Sequence, residues 1–175
     1  SSSSDPTAYT GFGPFMPGFD QVEYNNLAAL EKEFEKDAAN IAAFMVEPIQ
    51  GEAGVVVPDD GYMSEAKKLC EKYNVLLIAD EVQTGLGRSG TPLAVDHDNC
   101  KPDIVVLGKA LSGGVMPVSA FLASHEVMLT LRPGEHGSTY GGNPLACKVA
   151  TAALEVLRDE KLSENSMSRG EQLRD

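Results

Sequence analysis

Four short, uninterrupted apolar runs constrain the fold of this chain more than any other feature of its sequence. They span residues 41–46, 75–79, Ile104–Leu107 and 118–123. Runs of this length, bounded by proline or by acidic residues, predict β-strands that are buried on both faces, as in a parallel sheet.

Helical patterns separate these runs. Apolar residues recur at helical spacing over residues 26–36, Tyr62–Tyr73 and 144–157, and Asn74 is placed to end the second pattern. Apolar strands that alternate with helices predict an α/β fold, with a largely parallel (mixed) sheet flanked by helices. The charged segment from residue 159 onward is interpreted as a frayed helix end.

The composition excludes several classes of function. With 175 residues and 42% hydrophobic content, the chain can bury one sizeable core. Its net charge of −12 comes without any basic patch, which argues against a nucleic-acid partner. No apolar run approaches the roughly 20 residues that cross a bilayer, so we expect no membrane association.

The cysteines and histidines do not form the pattern of a metal site. Three cysteines are widely spaced and three histidines are isolated from one another, whereas zinc sites need clustered ligands. We therefore expect free thiols in a reducing compartment and no metal. Cys70 and Cys147 fall within helical patterns, which favours small, buried side chains for both.

Three chemically capable side chains follow predicted strands. Glu47, Asp80 and Lys109 each come just after an apolar run, where ligands of parallel sheets bind. A lysine amine readily forms a Schiff base with an aldehyde, and an aspartate can keep a pyridinium nitrogen protonated. Together they indicate pyridoxal phosphate chemistry. Each alone has an ordinary alternative, namely a solvated lysine, and an aspartate that caps a turn or pairs with Arg88.

Three glycine-rich segments offer competing interpretations. Residues 85–90 match the dinucleotide motif G-x-G-x-x-G, but they lie too far from the strand and no helix pattern follows, so we reject a nicotinamide site. Gly108 and Lys109 lack the spacing of a phosphate loop. Residues 136–144 offer hydroxyl and N–H groups for a phosphate at a helix start, and a simple connection capped by Asn143 fits equally well.

Four motifs, in order and spacing, resemble the class III aminotransferases. They occupy residues 46–54, 80–90, 108–114 and 134–144, and residues 5–18 and 51–58 are most similar to the branch that acts on ornithine. The resemblance covers essentially the whole chain. It implies fold type I of the pyridoxal-phosphate-dependent transferases, pyridoxal 5'-phosphate as the cofactor, and ping-pong transfer of the δ-amino group of ornithine to 2-oxoglutarate.

The resemblance also implies how the cofactor is held. Lys109 would bind the aldehyde carbon of the cofactor. Once displaced by the substrate amine, it would move a proton between substrate and cofactor. Asp80 would hold the pyridinium proton. Gln83 would bond the phenolic oxygen, and Val82 would pack on one face of the ring.

Further roles that the resemblance implies concern the substrate and a second subunit. Ser138 and Thr139 would reach the phosphate of the neighbouring subunit's cofactor, which implies a homodimer or a higher homo-oligomer. Glu52 would act as a gate: it pairs with an arginine while the diamine binds by its distal end, then releases that arginine for 2-oxoglutarate. Glu47 would support this region by hydrogen bonding.

Chains of this family are more than twice as long, so the resemblance identifies residues 1–175 as the central part of the large domain. We expect an N-terminal segment and a C-terminal small domain to lie outside it, and these residues alone to be inactive. The compartment, mitochondrial matrix or cytoplasm, is left open. Two alternatives also stay open: another class III enzyme acting on acetylornithine, 4-aminobutyrate or a related ω-amine, and a non-catalytic scaffold of the same fold.

Overall fold

A four-stranded sheet organises the chain in the computed structural model, which describes residues 5–175; residues 1–4 of the predicted domain lie outside it. In spatial order the sheet contains β1 (Ala43–Val46), β2 (Leu76–Asp80), β3 (Ile104–Leu107) and β4 (Ala120–Ala123). β1, β2 and β3 are parallel, and β4 runs antiparallel to β3. The predicted largely parallel, mixed sheet is confirmed, and β2 extends one residue beyond its predicted run to include Asp80.

Helices flank the sheet, as predicted. They are α1 (Pro6–Tyr9), α2 (Leu27–Asp37), α3 (Tyr62–Tyr73), α4 (His125–Met128), α5 (Pro144–Asp159) and α6 (Leu162–Arg174), with 3-10 turns at Ala38–Asn40, Ala94–Asp98 and Lys109–Ser112. α2 and α5 begin where expected because an asparagine caps each: Asn26 Oδ1 accepts from the N–H of Ala29 at 2.9 Å, and Asn143 Oδ1 from that of Ala146 at 2.8 Å.

Side-chain alternation gives the sheet one covered and one half-open face. On the covered face, Leu77 and Ala79 of β2 are fully buried against α2 and α3. Val105 of β3 pairs with Ala79 in register, and it packs against α5 on this same face. On the other face, Met45 of β1 is 52% exposed. The prediction of burial on both faces is therefore wrong for the described residues, because α3 and α5 cover the same alternate strand positions.

The start of α3 is capped by a residue from elsewhere in the chain. Gly61, at the N-cap, has a φ of +83° and no side chain to offer. Asp98 supplies the carboxylate instead, and its two oxygens accept from the N–H groups of Gly61 and Met63, each at 2.9 Å. This contact satisfies donors that a helix start leaves free and complements the helix dipole. At the other end, Asn74 closes α3 with a φ of 56°, as predicted.

The C-terminal segment is a separate helix, so the prediction of a frayed end is wrong. Lys161 adopts a left-handed backbone (φ 52°), which turns the chain between α5 and α6. α6 then packs on the loop after β2: a Cβ on Gly90 would lie 2.7 Å from Met167 Cε, and Ser166 Oγ donates to the carbonyl of Arg88 at 3.0 Å. Tertiary packing through one narrow face can stabilise a helix whose other faces are charged.

The three cysteines are free thiols, as predicted, but they lie in different environments. Cys70 and Cys100 are buried, and burial raises the pKa of their thiols to about 12 and about 11. Cys147 is exposed, so the prediction of its burial is wrong. The buried face of α5 carries Ala146 and Ala150, and Cys147, next to Ala146 in the chain, lies off that face.

Two features that would point to other functions are absent from residues 5–175. No helix in this range is long and apolar enough to cross a lipid bilayer. No group of three or more histidine, cysteine, aspartate or glutamate side chains in this range could hold a metal ion.

We expect Asp98→Ala to lower the free energy of unfolding by about 1–3 kcal/mol, because two backbone donors at the start of α3 lose their acceptor. Asp60→Ala is the matched control, since Asp60 is an exposed carboxylate beside the same helix end. It should cost roughly 0.3–1 kcal/mol, the size of a dipole interaction alone. Urea denaturation at neutral pH measures both values, and equal losses would contradict the capping role of Asp98.

Candidate functional site

The carboxyl ends of the three parallel strands meet at one edge of the sheet. Glu47 follows β1 directly, Asp80 is the last residue of β2, and Lys109 follows β3 after one glycine. Asp80 pairs in register with Val106, so β2 and β3 end side by side. The structure thus brings three residues predicted for the site to the edge where ligands of parallel sheets bind.

Asp80 lies on the half-open face of the sheet. Its side chain is half-buried, and its Oδ1 accepts from the backbone N–H of Val82 at 3.1 Å, so the turn-capping contact is present. The alternative, an ion pair between Asp80 and Arg88, is not found among the described residues, and Arg88 is exposed. A carboxylate has about four acceptor positions, so one local bond leaves capacity for a protonated ring nitrogen.

Glu81 faces the opposite way from Asp80 and is 1% exposed. Its carboxylate accepts from the hydroxyl of Thr84 and, at 2.9 Å, from the backbone N–H of Val95, while its own N–H donates to the carbonyl of Val106 at 3.0 Å. These bonds fasten the loop after β2 to the core. Sequence reasoning gave Glu81 no role, although the strict alternation of a strand already places two successive residues on opposite faces.

Lys109 has an unusual backbone conformation. Its φ of 42° lies in the left-handed region, which is uncommon for a residue with a side chain and often marks functional sites. The residue opens the 3-10 turn Lys109–Ser112, and its side chain is 53% exposed. The preceding Gly108 leaves room for the loop after β2, because a Cβ there would lie 3.3 Å from Val82 Cγ1.

A tight turn after β1 presents Glu52 to Lys109. Gln50 and Val56 close this turn with two backbone hydrogen bonds, of 3.0 and 2.9 Å. Glu52 Oε1 accepts from Gln83 Nε2 at 2.9 Å and lies 3.9 Å from Lys109 Nζ. The residue predicted as a gate therefore touches the residue predicted to bond the cofactor oxygen, and it lies beside the predicted Schiff-base lysine.

Glu47 is surrounded by the other charges of this group. Burial raises the pKa of its carboxyl above the ordinary 4.5, and the negative charges of Asp80 and Glu52 raise it further. The backbone N–H of Gly51 and the ammonium group of Lys109 act in the opposite direction and lower this pKa. The site therefore groups three carboxylates with one lysine.

The residues of this edge fit a pyridine cofactor that carries an aldehyde. Gln83 Oε1 is buried and has no hydrogen-bond partner among the described residues, which is rare for a buried polar atom and points to a missing donor. Among residues 5–175, the amide nitrogen donates one N–H to Glu52, and its second N–H can donate to an oxygen of the cofactor. Asp80 can pair with a ring nitrogen, Lys109 can react with the aldehyde, and Val82 offers an apolar surface. The donor set fits the predicted pyridoxal phosphate.

Ser138 and Thr139 lie apart from this group, in an exposed turn before α5. Ser138 Oγ accepts from the N–H of Gly141 at 2.8 Å. Asn143 caps α5, as expected if these residues are a simple connection into the helix. Among residues 5–175, no hydrogen bond or ion pair links this turn to Lys109. Their predicted role toward a neighbouring subunit remains a prediction.

The glycine-rich loop at residues 85–90 is not followed by the helix that a dinucleotide site needs. Residues 91–93 bend instead into the 3-10 turn Ala94–Asp98. The loop is also covered, because a Cβ on Gly87 would lie 3.0 Å from Ser163 Oγ of α6. Without a helix N-terminus to receive a pyrophosphate, the geometry agrees with the rejection of a nicotinamide site.

Comparison with known proteins gives consistent matches. The family described as aminotransferase class III matches residues 1–175. The mitochondrial ornithine aminotransferase of Drosophila melanogaster is 65% identical over 174 residues. Among solved structures, the ornithine aminotransferase of Toxoplasma gondii has a TM-score of 0.97 at 56% identity, and the acetylornithine aminotransferase of Elizabethkingia anophelis has a TM-score of 0.88 at 58% identity. The predicted fold type I of the pyridoxal-phosphate-dependent transferases is confirmed.

The chain spans about 40% of the length of the relatives that it matches. The aligned region covers 99% of this chain and 40% of the Drosophila protein. The corresponding shares are 100% and 41% for the Toxoplasma structure, and 91% and 42% for the Elizabethkingia structure. The Toxoplasma structure has pyridoxal phosphate at partial occupancy in its active site.

We expect Glu47→Gln to stabilise the cofactor-free, full-length protein at neutral pH. The pKa of Glu47 is higher in the folded than in the unfolded state, so the folded state binds this proton more tightly and loses stability as pH rises between the two values. Glutamine removes that cost. Its advantage should shrink as pH falls through the raised pKa and disappear below 4.5.

Urea denaturation of Glu47→Gln and wild type at several pH values measures this difference. Glu35→Gln, at an exposed position of α2, is the control for loss of a glutamate charge. An advantage that is the same at pH 7 and at pH 4, or that grows as pH falls, would contradict the raised pKa of Glu47.

Proposed function

The chain belongs to the class III aminotransferases, and from this premise we propose that it is the cofactor-binding core of an ornithine–oxo-acid transaminase. The reaction transfers the δ-amino group of L-ornithine to 2-oxoglutarate and gives glutamate 5-semialdehyde and glutamate. The observation that carries the proposal is the group of Lys109, Glu52 and Gln83, in contact beside Asp80. Ornithine is favoured as the amine because relatives of that name are 56–66% identical to this chain.

Bound pyridoxal phosphate supplies an aldehyde that takes up the amino group and a ring that withdraws electrons from the reacting carbon. Lys109 would hold the aldehyde carbon, Asp80 the ring nitrogen and Gln83 the phenolic oxygen. Val82 would pack on one face of the ring. A carboxylate next to the ring nitrogen favours its protonated form, because opposite charges stabilise each other at short distance.

Lys109 Nζ is the group placed to move a proton during the reaction. Its amine stands on a flexible stem and is half exposed, so it can reach more than one position above the site. It is also the lysine that lies beside the carboxylate of Glu52. An amine that can take a proton at one atom and release it at another acts as both general base and general acid.

Glu52 would select which end of the substrate enters. Its side chain is 88% exposed at the tip of the turn after β1, which leaves it free to change partners. While it pairs with an arginine, that arginine cannot bind a carboxylate, and the diamine binds by its distal amino group. When Glu52 turns away, the arginine becomes available to 2-oxoglutarate. Glu47 would support this turn, since Gly51 stabilises its ionised form.

We place residues 1–175 in the central part of the large domain of a longer protein, because the matched relatives extend well beyond the aligned region. Ser138 and Thr139 are exposed, and we assign them to the cofactor phosphate of a second subunit in a homodimer or higher homo-oligomer. The name of the Drosophila relative includes the word mitochondrial. For this protein we propose the mitochondrial matrix or the cytoplasm.

The assignment of Lys109 predicts a spectroscopic signature in the full-length protein. Wild type should show the visible absorbance of bound cofactor and, after borohydride reduction, carry the cofactor mass covalently. Lys109→Ala should lose both, because no amine remains to bind the aldehyde. Lys101→Ala, at an exposed lysine before β3, is the control and should retain both. Survival of the signals in Lys109→Ala would contradict the assignment.

The choice of substrate is tested by steady-state kinetics with ornithine, acetylornithine and 4-aminobutyrate, each with 2-oxoglutarate. We expect kcat/KM for ornithine to be at least roughly tenfold higher than for the others, as a charged group in the pocket discriminates strongly. The 175 residues alone should give no rate. A preference for acetylornithine would replace ornithine in the proposal, and a cofactor-loaded protein without any activity would support a scaffold.

A further inference from the structure

Gly51 occupies a position where no other residue could stand without displacing a neighbour. A Cβ built on it would lie 1.4 Å from Gln83 Oε1 and 2.4 Å from Gln83 Cδ. The next closest approaches to a glycine of the described chain are 2.7 Å, at Gly90 and Gly141. The amide of Gln83 therefore lies in the space that a side chain at position 51 would fill.

The backbone does not explain this glycine. The glycines of the described chain that need a left-handed backbone include Gly54, in the same turn, with a φ of +106°. Gly51 is not among them. An alanine could adopt its conformation, so the requirement for glycine at this position comes from space and not from φ.

The orientation of the Gln83 amide is set from its other side. Nε2 donates to Glu52 Oε1 at 2.9 Å, and reversing the amide would turn its oxygen toward that carboxylate. Oε1 consequently faces Gly51, where it is buried without a hydrogen-bond partner in the part of the chain that the structure describes. One amide thus joins the turn that carries Glu52 to the loop after β2.

We propose that Gly51 is a positioning residue: by carrying no side chain it seats the Gln83 amide, which holds the Glu52 carboxylate beside Lys109 and keeps a second N–H for the cofactor. This rests on the proposed function and deepens it, because it joins the substrate gate to the cofactor contact through a single side chain. Movement of Glu52 toward an arginine then releases the Gln83 amide, so the position of Glu52 changes the hydrogen bond that this amide makes to the cofactor oxygen.

The test compares Gly51→Ala, Gln83→Ala and the double variant in the full-length protein. Three quantities are measured: the dissociation constant of pyridoxal phosphate from the cofactor-stripped protein, the pH midpoint of the visible absorbance of bound cofactor, and the melting temperature. Gly170→Ala is the matched control, because Gly170 has open space around its Cα and no left-handed φ.

We expect Gly51→Ala to raise the dissociation constant roughly tenfold and to shift the absorbance midpoint in the same direction as Gln83→Ala, since both remove one amide contact. In the double variant the alanine at position 51 should add nothing further, because the amide with which it collides is gone. Gly170→Ala should leave the dissociation constant and the midpoint unchanged.

Several results would overturn the proposal. These are a wild-type dissociation constant and midpoint in Gly51→Ala, a lower melting temperature without a change in midpoint, or effects of the two substitutions that add in full. If Gly51→Ala does not fold, recovery of folding in the double variant supports the collision, and continued failure contradicts it. A wild type that binds no cofactor would instead refute the proposed function, so the two failures are distinguishable.

Discussion

Two successive acidic residues at the end of β2 face opposite sides of the sheet, and the rest of the site depends on that division. Glu81 enters the core, where Thr84 and the backbone of Val95 satisfy its carboxylate. A buried carboxylate is tolerated only with such partners, and they hold the following loop in place. Asp80 is left on the half-open face, available to a ligand. The loop that Glu81 fixes also carries Gln83. The positions of Asp80 and Gln83, the two predicted cofactor contacts, therefore both depend on Glu81.

The charges around Lys109 leave this edge of the sheet with more carboxylates than cations. Glu47, Asp80 and Glu52 gather near one ammonium group, and the pKa of Glu47 is raised by burial and by the other two carboxylates. An excess of negative charge attracts cationic groups and repels carboxylates until one of its own carboxylates moves. The exposed side chain of Glu52 is the one that can move.

Much of the fold could be predicted because its signals are local. α3 runs over Tyr62–Tyr73 and ends at Asn74 as predicted, since helical spacing and an asparagine in the left-handed region are readable within a few residues. Errors arose where distant packing decides. α6 is stabilised by Met167 against the loop after β2, and its charged composition hides that contact. Cys147 lies beside the buried stripe of α5 rather than on it, a rotation that composition alone does not resolve.

The sequence by itself determined which chemical groups end the parallel strands, and parallel pairing was enough to bring Asp80 and Lys109 to one edge. It also determined the family, because four motifs occur in register over the whole chain. Only the tertiary structure decided which way each side chain turns: Glu81 into the core, Glu52 toward Lys109, and the Gln83 amide into the space left by Gly51. The physical reason is that strand periodicity acts between neighbours in the chain, whereas these contacts depend on the register of separate strands and the shape of a turn between them.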